Sequence, residues 1–225
     1  MSEERRHDLV IFDCDGVLVD SEVIAGRCLV EAASTLGIEI NRDYVALHFT
    51  GHSFPVVGKV LQRDFGVSLP EDFEATYREM LLSAYSRELK AMPGIEHVLE
   101  NLAVPFFLAS SSSPVRIARS LEVVGLEHFF GGRTASAWMV PRGKPAPDLY
   151  LHVAERCGVR PERCLVIEDS IVGIEAGVAA GMEVWRYVGG SHISAADRLE
   201  TGIWHGQFAN YDQFFHLIPN LKLGK

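Results

Sequence analysis

The chain has 225 residues, with 21 lysines and arginines against 30 aspartates and glutamates, a formal charge of −9, 48% apolar residues and 23% charged ones. Such a length and composition suit one medium domain, or one domain carrying a modest insertion, and exclude wholesale disorder. The acidic balance argues against nonspecific nucleic-acid binding or attachment to an anionic bilayer, and no apolar run approaches the roughly 18 residues that a membrane span needs.

The charged start, Met1 to Arg6, has no export core behind it and reads as a short disordered segment. Leu9-Val10-Ile11-Phe12 is a short apolar run ending in Asp13, as expected of a strand buried on both faces. Between Asp20 and Met92 no buried strand is evident. Helical segments are expected near 21–36, 53–65 and 71–89, with turns at Gly37, Gly51 and Gly66. This stretch reads as a small helical domain, residues 19–90, inserted after the first strand and joined through linkers near 17–20 and 87–93. The remainder, 1–18 and 91–225, forms the other domain. Further strands are expected at Val104 to Ala109, Arg133 to Ala137, Cys164 to Ile167 and Val184 to Val188. Ser112 or Ser113 caps a helix that Pro114 opens and that runs to about Val123; Pro147 opens another, to about Cys157, and a small-residue helix follows Ser170 and closes at Gly181. Beyond Gly190 the pattern weakens to a helix near 194–201, a short strand near 207–208 and a helix near 211–217. Alternation of strands and helices predicts an α/β fold, a doubly wound parallel sheet whose ligands gather beyond the carboxyl ends of the strands.

Cys14, Cys28, Cys157 and Cys164 are scattered and form no C-x-x-C pair, so reduced thiols in a cytoplasmic protein are expected. Nothing in the pattern demands more than a monomer. Trp138, Trp185 and Trp204 read as packing residues.

Four polar clusters fall at predicted strand ends. In Asp13-Cys14-Asp15-Gly16, two carboxylates two residues apart can face one point only if the chain turns, which Gly16 permits. Crowded carboxylates repel, so one holds a proton or both face a cation. Ala109-Ser110-Ser111-Ser112-Ser113-Pro114 offers hydroxyls and backbone N–H groups at a helix N-terminus, which suits an anion as well as simple capping. In Gly143-Lys144-Pro145-Ala146-Pro147-Asp148 the prolines fix the backbone about a lysine that is either a fixed charge for an anion or an exposed loop residue. Glu168-Asp169 either caps the helix that follows or completes an oxygen-ligand site for a hard divalent cation. Acids able to hold magnesium, hydroxyl and N–H donors, and a lysine are together the parts of a phosphoryl-transfer site.

The same motifs in the same order, from Asp13-Cys14-Asp15-Gly16 through Asp20-Ser21-Glu22, then Ser110, Gly143-Lys144-Pro145-Ala146-Pro147-Asp148 and Glu168-Asp169-Ser170-Ile171-Val172-Gly173, resemble the signature motifs of the haloacid dehalogenase-like hydrolase superfamily. Within it they are similar to the β-phosphoglucomutase-like sugar-phosphatase branch, and the helical insert to its small α-helical cap over a Rossmann-like core. The resemblance implies hydrolysis of a small phosphomonoester, a sugar or sugar-acid phosphate, with Asp13 as nucleophile forming an aspartyl-phosphate and Asp15 as acid and base. It implies Mg2+ on Asp13, the main-chain carbonyl of Asp15 and Asp169, with Glu168 nearby or acting through water. It implies phosphate held by Ser110, the Ser111 N–H and Lys144. Cap contacts would come from Gly51, His52 and Ser53, with Arg27 and Lys59 as further candidates; His192 is expected near the mouth of the site in a structural role. Asp15 and Glu168-Asp169 depart from the dehalogenases and favour phosphate chemistry. The mutases of the branch carry a histidine where this chain has about Ala25, and an arginine in the cap loop where Thr50-Gly51-His52-Ser53-Phe54 has none. Simple hydrolysis is therefore preferred over the alternatives, a phosphosugar mutase or a catalytically idle binding protein on the same fold.

Overall fold

The computed structural model describes residues 6–224, so most of the charged start expected to be disordered, residues 1–5, lies outside the described residues. The short apolar runs form β1 (Leu9–Phe12), β2 (Phe106–Ser110), β3 (Thr134–Ser136), β4 (Cys164–Glu168), β5 (Glu183–Tyr187) and β6 (Gly206–Phe208). All pair in parallel, in the order β3-β2-β1-β4-β5-β6. The chain leaves β1 toward one edge through β2 and β3, then returns beside β1 at β4 and builds toward the other, so the topological switch lies at the carboxyl ends of β1 and β4. β2 begins after Pro105, later than the apolar run does, because proline has no N–H for the ladder.

Alternate side chains of each strand enter opposite layers. Leu9, Ile11, Phe107, Ala109, Cys164 and Val166 join one apolar cluster. Val10, Phe12, Phe106, Leu108, Leu165 and Ile167 join the other. Burial on both faces is why these strands read as continuous apolar runs.

Helices α1 (Glu22–Ser34), α2 (Arg42–His48), α3 (Phe54–Phe65) and α4 (Phe73–Glu88) occupy the stretch between β1 and β2, and α5 (Ile95–Asn101) follows them. Leu29, Ala33, Ile38, Val45, Leu61 and Phe73 form an apolar cluster separate from the two sheet layers. The two connections to this helical insert run side by side: Val19 bridges Ala91 antiparallel, Asp20 N donates to Lys90 O at 2.9 Å and Met92 N to Leu18 O at 2.8 Å. The rest of the chain supplies α6 (Pro114–Val124), α7 (Glu127–Phe130), α8 (Asp148–Cys157), α9 (Ile171–Ala179) and α10 (Phe214–Leu217). Helices α2 and α5 are absent from the expected elements, each being only two turns long. Their start signals are local: the Asn41 side chain accepts from Tyr44 N at 2.8 Å, and Gly94, at φ 84°, turns the chain into α5.

Two expectations fail. The helix expected near 194–201 is a single 3₁₀ turn, Asp197–Leu199. Leu199 is 84% exposed, so this segment has no core to lie on and propensity alone does not hold a helix. Trp138 is 62% exposed and packs into no core, whereas Trp185 and Trp204 do pack against apolar clusters. Cys14, Cys28 and Cys164 are buried, Cys157 is partly buried, and all four are free thiols. No helix of the described residues is long and apolar enough to cross a membrane.

Two positions make the fold testable. Glu183, opening β5, accepts from Trp185 Nε1 at 2.8 Å and His7 Nε2 at 3.1 Å and pairs with Arg6 at 2.9 Å. These contacts, His7 foremost, draw its carboxyl down to about 2. A carboxyl lowered on folding stabilises the protein above its ordinary titration range, and that contribution fades as pH falls toward the folded value. Glu183→Gln is therefore expected to be less stable than wild type at pH 7, and the gap between their urea midpoints is expected to close as pH falls from about 4.5 toward 2. At Gly173, in the first turn of α9, a Cβ would lie 1.6 Å from Glu168 Oε1. Gly173→Ala is expected to cost about 1–3 kcal/mol, read as a lower urea midpoint at unchanged slope.

Candidate active site

Asp13 follows β1, Ser110 ends β2, Glu168 ends β4 and Asp169 follows it, so the parallel register delivers all four to one edge of the sheet. The backbone ties the carriers together, with Asp13 N donating to Ile167 O at 3.0 Å. After Asp13 the chain makes a tight turn in which Leu18 N donates to Cys14 O at 2.9 Å and Gly16 N to Val19 O at 2.8 Å. Gly16 sits at φ 80°, and a Cβ there would lie 1.8 Å from Asp169 Oδ2. Both the backbone conformation and the approach of Asp169 thus require glycine.

Lys144 arrives from the connection between β3 and α8 and is buried. Its Nζ donates to Asp13 Oδ1 at 2.6 Å, Glu168 Oε1 at 2.6 Å and Ala109 O at 3.1 Å. Burial works against its charge, but the Asp13 and Glu168 carboxylates outweigh burial and hold the ammonium charged. Glu168 is saturated by the protein. Oε1 also accepts from Tyr150 Oη at 3.1 Å, and Oε2 accepts from Asp169 N, Ser170 N and Ser170 Oγ at 2.8, 2.9 and 3.0 Å. Burial would raise its carboxyl, yet Lys144 and these donors keep it below the ordinary range.

Asp13 and Asp169 behave in the opposite way. Burial pushes the Asp13 carboxyl well up, with Glu168, Asp169 and Asp15 adding to the rise against Lys144. Burial also raises Asp169, opposed chiefly by His192. Asp13, Glu168 and Asp169 each offer an oxygen, and these three oxygens lie within 4.8 Å of one another. Asp169 Oδ2 is buried without a hydrogen bond; His192 Nε2 stands 3.0 Å away as a charge contact. An all-oxygen set of crowded, buried acids with one oxygen unspent fits a hard divalent cation.

The Asp15 side chain is not one of these three. Its Oδ1 accepts from Ser21 Oγ and from Arg116 Nη2, and its Oδ2 from Ser112 Oγ, each at 2.6 Å. Burial would raise this carboxyl, but Arg116 and the two hydroxyls prevail and hold it below the ordinary range. Ser113 rather than Ser112 caps α6, accepting from Arg116 N at 3.4 Å.

These residues open into a cleft between the sheet edge and the helical insert. Its sheet side includes Asp13, Asp15, Ser110, Ser111, Lys144 and Glu168. From the insert, Gly51 and His52 line it, while Ser53 lines a smaller adjoining cleft. At Gly51 (φ 77°) a Cβ would meet Ser170 Oγ at 2.6 Å, so this loop lies directly on the β4–α9 turn. Arg27 and Lys59 do not line the cleft: Arg27 pairs with Glu88 at 2.8 Å, and Lys59 is exposed. His192, expected to be structural, stands against Asp169 and so belongs to the site.

Sequence reasoning also missed Arg116, Ser21, Tyr150 and Tyr77. Arg116 did leave a signal, since an arginine in the first turn of a helix opposes the macrodipole and calls for a specific anion. Tyr150 left none, being one more apolar-face residue of α8.

A family model described as haloacid dehalogenase-like hydrolase matches residues 7–181. The chain is 31% identical to 6-phosphogluconate phosphatase of Escherichia coli (strain K12) over 83% of its own length and 85% of that protein. It is 31% identical to phosphorylated carbohydrates phosphatase of Thermotoga maritima over 78% and 82% of the two chains. Among solved structures, a conserved haloacid dehalogenase-like protein from Agrobacterium tumefaciens str. C58 superposes with a TM-score of 0.79 at 33% identity, covering 95% of this chain and 98% of that one. With the motif residues gathered at the carboxyl ends of a parallel sheet and these relatives spanning most of its length, the chain belongs to the haloacid dehalogenase-like hydrolase family.

Proposed function

We propose that this phosphoric monoester hydrolase is a magnesium-dependent phosphatase of small sugar phosphates that works through an aspartyl-phosphate on Asp13. Relatives named for 6-phosphogluconate and for phosphorylated carbohydrates support the substrate class. The observation that carries the reading is the buried group of Asp13, Glu168 and Asp169 with Lys144 set between two of its members.

Residues 19–90 are taken as the cap and the remainder as the catalytic core. Asp13, Asp169 and the main-chain carbonyl of Asp15 would hold Mg2+, with Glu168, already saturated by protein donors, orienting Lys144 and the turn to α9. When bound, the cation supplies positive charge that lets an anionic nucleophile meet an anionic phosphoryl group. The Asp13 carboxylate attacks phosphorus, and the bond from phosphorus to the leaving oxygen breaks, with Lys144, Ser110 and the Ser111 N–H holding the phosphoryl oxygens. Asp15 would carry the proton: in its protonated form it gives one to the leaving alkoxide, then accepts one from the water whose attack on phosphorus breaks the bond to the Asp13 oxygen and releases inorganic phosphate. Its present commitment to Arg116, Ser21 and Ser112 favours the carboxylate, the form needed for the second step. Hydrolysis is preferred to mutase chemistry because, among the described residues, no lysine or arginine of the insert lines the cleft to hold a second phosphate.

Asp13→Asn is expected to lower kcat for p-nitrophenyl phosphate by about 10³-fold or more, with circular dichroism unchanged. Asp15→Asn is expected to lower it by about 10²–10⁴-fold. A wild-type rate in Asp13→Asn would remove the nucleophile from the scheme. Treatment with excess EDTA is expected to abolish phosphate release and added Mg2+ to restore it; full turnover in the chelator would exclude the metal.

A further inference from the structure

Asp15 is gripped unevenly. Its Oδ1 accepts from the Arg116 guanidinium and from Ser21 Oγ, and its Oδ2 from Ser112 Oγ alone. The donors differ in what they can give up. A serine hydroxyl rotates and can accept as readily as it donates, so Ser112 can release Oδ2 without leaving a buried atom unmatched. A guanidinium has donors only and stays charged, so Arg116 has no comparable freedom. Its Nη2 lies 2.6 Å from Oδ1, and the two side chains are 19% and 10% exposed, which leaves little water to replace the bond. Oδ1 is thus the anchored oxygen and Oδ2 the one free to exchange a proton.

Arg116 is itself seated from two sides. Its backbone lies in the first turn of α6, where a cation opposes the helix macrodipole and the helix gives no reason for it. Its side chain crosses to α4 of the insert, where Cζ stands 5.6 Å from the ring centroid of Tyr85, a fully buried residue. An aromatic face steadies a guanidinium while leaving its N–H groups free for the carboxylate. The insert therefore reaches the sheet-edge acid through one ring and one guanidinium. We propose that Arg116, seated on Tyr85, is the positioning residue of the second half-reaction: it holds Asp15 by Oδ1 so that Oδ2 can take a proton from the water that cleaves the aspartyl-phosphate. In that step the water oxygen bonds phosphorus, the bond from phosphorus to the Asp13 oxygen breaks, and one water proton passes to Oδ2. This rests on the phosphatase reading and adds to it a residue that acts through Asp15.

p-Nitrophenyl phosphate separates the two half-reactions, because p-nitrophenolate leaves without a proton while hydrolysis of the phosphorylated protein still needs a base. The full chain, loaded with Mg2+, is mixed rapidly with this ester. p-Nitrophenol is followed through the first turnover and beyond, and acid-quenched protein is weighed for bound phosphate by mass spectrometry. Arg116→Gln is expected to slow the steady rate at least about tenfold while the first turnover stays within about threefold of wild type. The result is a burst of about one p-nitrophenol per chain and accumulated phosphoprotein. Arg116→Lys, which keeps the cation but not its planar fork, is expected to lie between the two, and it answers the same question if the glutamine variant does not fold. Tyr85→Leu is expected to show the same pattern more weakly. Equal slowing of the first turnover and of the steady rate would overturn the assignment, because Arg116 would then be holding the fold or the substrate. Unchanged steady rates in the arginine variants would overturn it too, and an unchanged rate in Tyr85→Leu would remove Tyr85 from it. Asp15→Asn separates the two levels. If it shows the burst and the arginine variants do not, only the role of Arg116 falls; if neither wild type nor Asp15→Asn ever carries phosphate, the aspartyl-phosphate reading falls and takes the assignment with it.

Discussion

The ammonium of Lys144 is the constraint on which the site depends. It lies in the protein interior and makes three hydrogen bonds, two of them to carboxylates from different strand ends and one to the Ala109 carbonyl, next to the end of β2. A buried charge is tolerable only when it is paired and bonded, and removing one member of such a pair costs about 3–5 kcal/mol. Lys144, Asp13 and Glu168 therefore fix one another. Since they arrive from three separate connections, their mutual dependence also fixes the distance between the carboxyl ends of β1, β2 and β4. The same arrangement leaves the acids in excess. One lysine satisfies one oxygen each of Asp13 and Glu168, while Asp13 and Asp169 are both driven toward the protonated form by burial. A site in this condition has an unmet demand for positive charge, and that demand, rather than any single residue, makes a divalent cation chemically sensible.

Asp15 shows how two carboxylates two residues apart acquire different environments. The turn closed by Gly16 points Asp13 at Lys144 and Asp15 at Arg116. Burial raises both, but the guanidinium and two hydroxyls reverse its effect on Asp15. The two carboxylates are thereby held in different states: burial favours the protonated form of Asp13, Arg116 favours the carboxylate of Asp15, and a cation set against Asp13 would return it to the carboxylate. Arg116 also stacks over Tyr85 of α4, 5.6 Å from its ring centroid, so the group that sets the state of Asp15 touches the helical insert. Any motion of α4 relative to α6 would alter the contact that depresses Asp15. The two antiparallel connections at Val19 and Ala91 are where such motion would be taken up.

Much of this was legible in the sequence because the relevant physics is local. Strands buried on both faces announce themselves as apolar runs, and the polar residues that end them mark the functional edge. Asp13, Ser110, Glu168 and Asp169 could be placed on that edge for this reason, whereas Lys144, in the connection after β3, was brought to it only by the family resemblance. What was not legible depends on direction rather than position. Nothing in Asp13-Cys14-Asp15 says which carboxylate faces the lysine, and nothing in Glu168 says that its second oxygen is consumed by its own following turn. His192 is the plainest case: it comes from the connection after β5, in a region of weak pattern, and reaches Asp169 only because the sheet brings β5 beside β4. Trp138 failed for a related reason, since an indole reads as core in sequence whether or not the fold supplies one.

The contrast between the two halves of the cleft follows from the same division of labour. The sheet edge carries the chemistry, and its charges are held by one another: Lys144 between acids, Arg116 on Asp15, Glu168 on backbone N–H groups. Such a network cannot also bend to a variable ligand, because each member left unpaired in a buried setting is costly. The surface that the insert adds to the cleft has fewer fixed polar commitments: Ala25, Leu29, Val45, Phe49 and Val57 line it, with Glu22, Thr50, His52 and Tyr77 as its polar side chains. Glu22 belongs to the turn-and-helix segment that begins with Asp13, and its neighbour Ser21 bonds Asp15. Glu22, which lines the cleft, is thus one peptide bond from a residue that holds Asp15, so the insert side of the cleft and the sheet edge are joined through the start of α1.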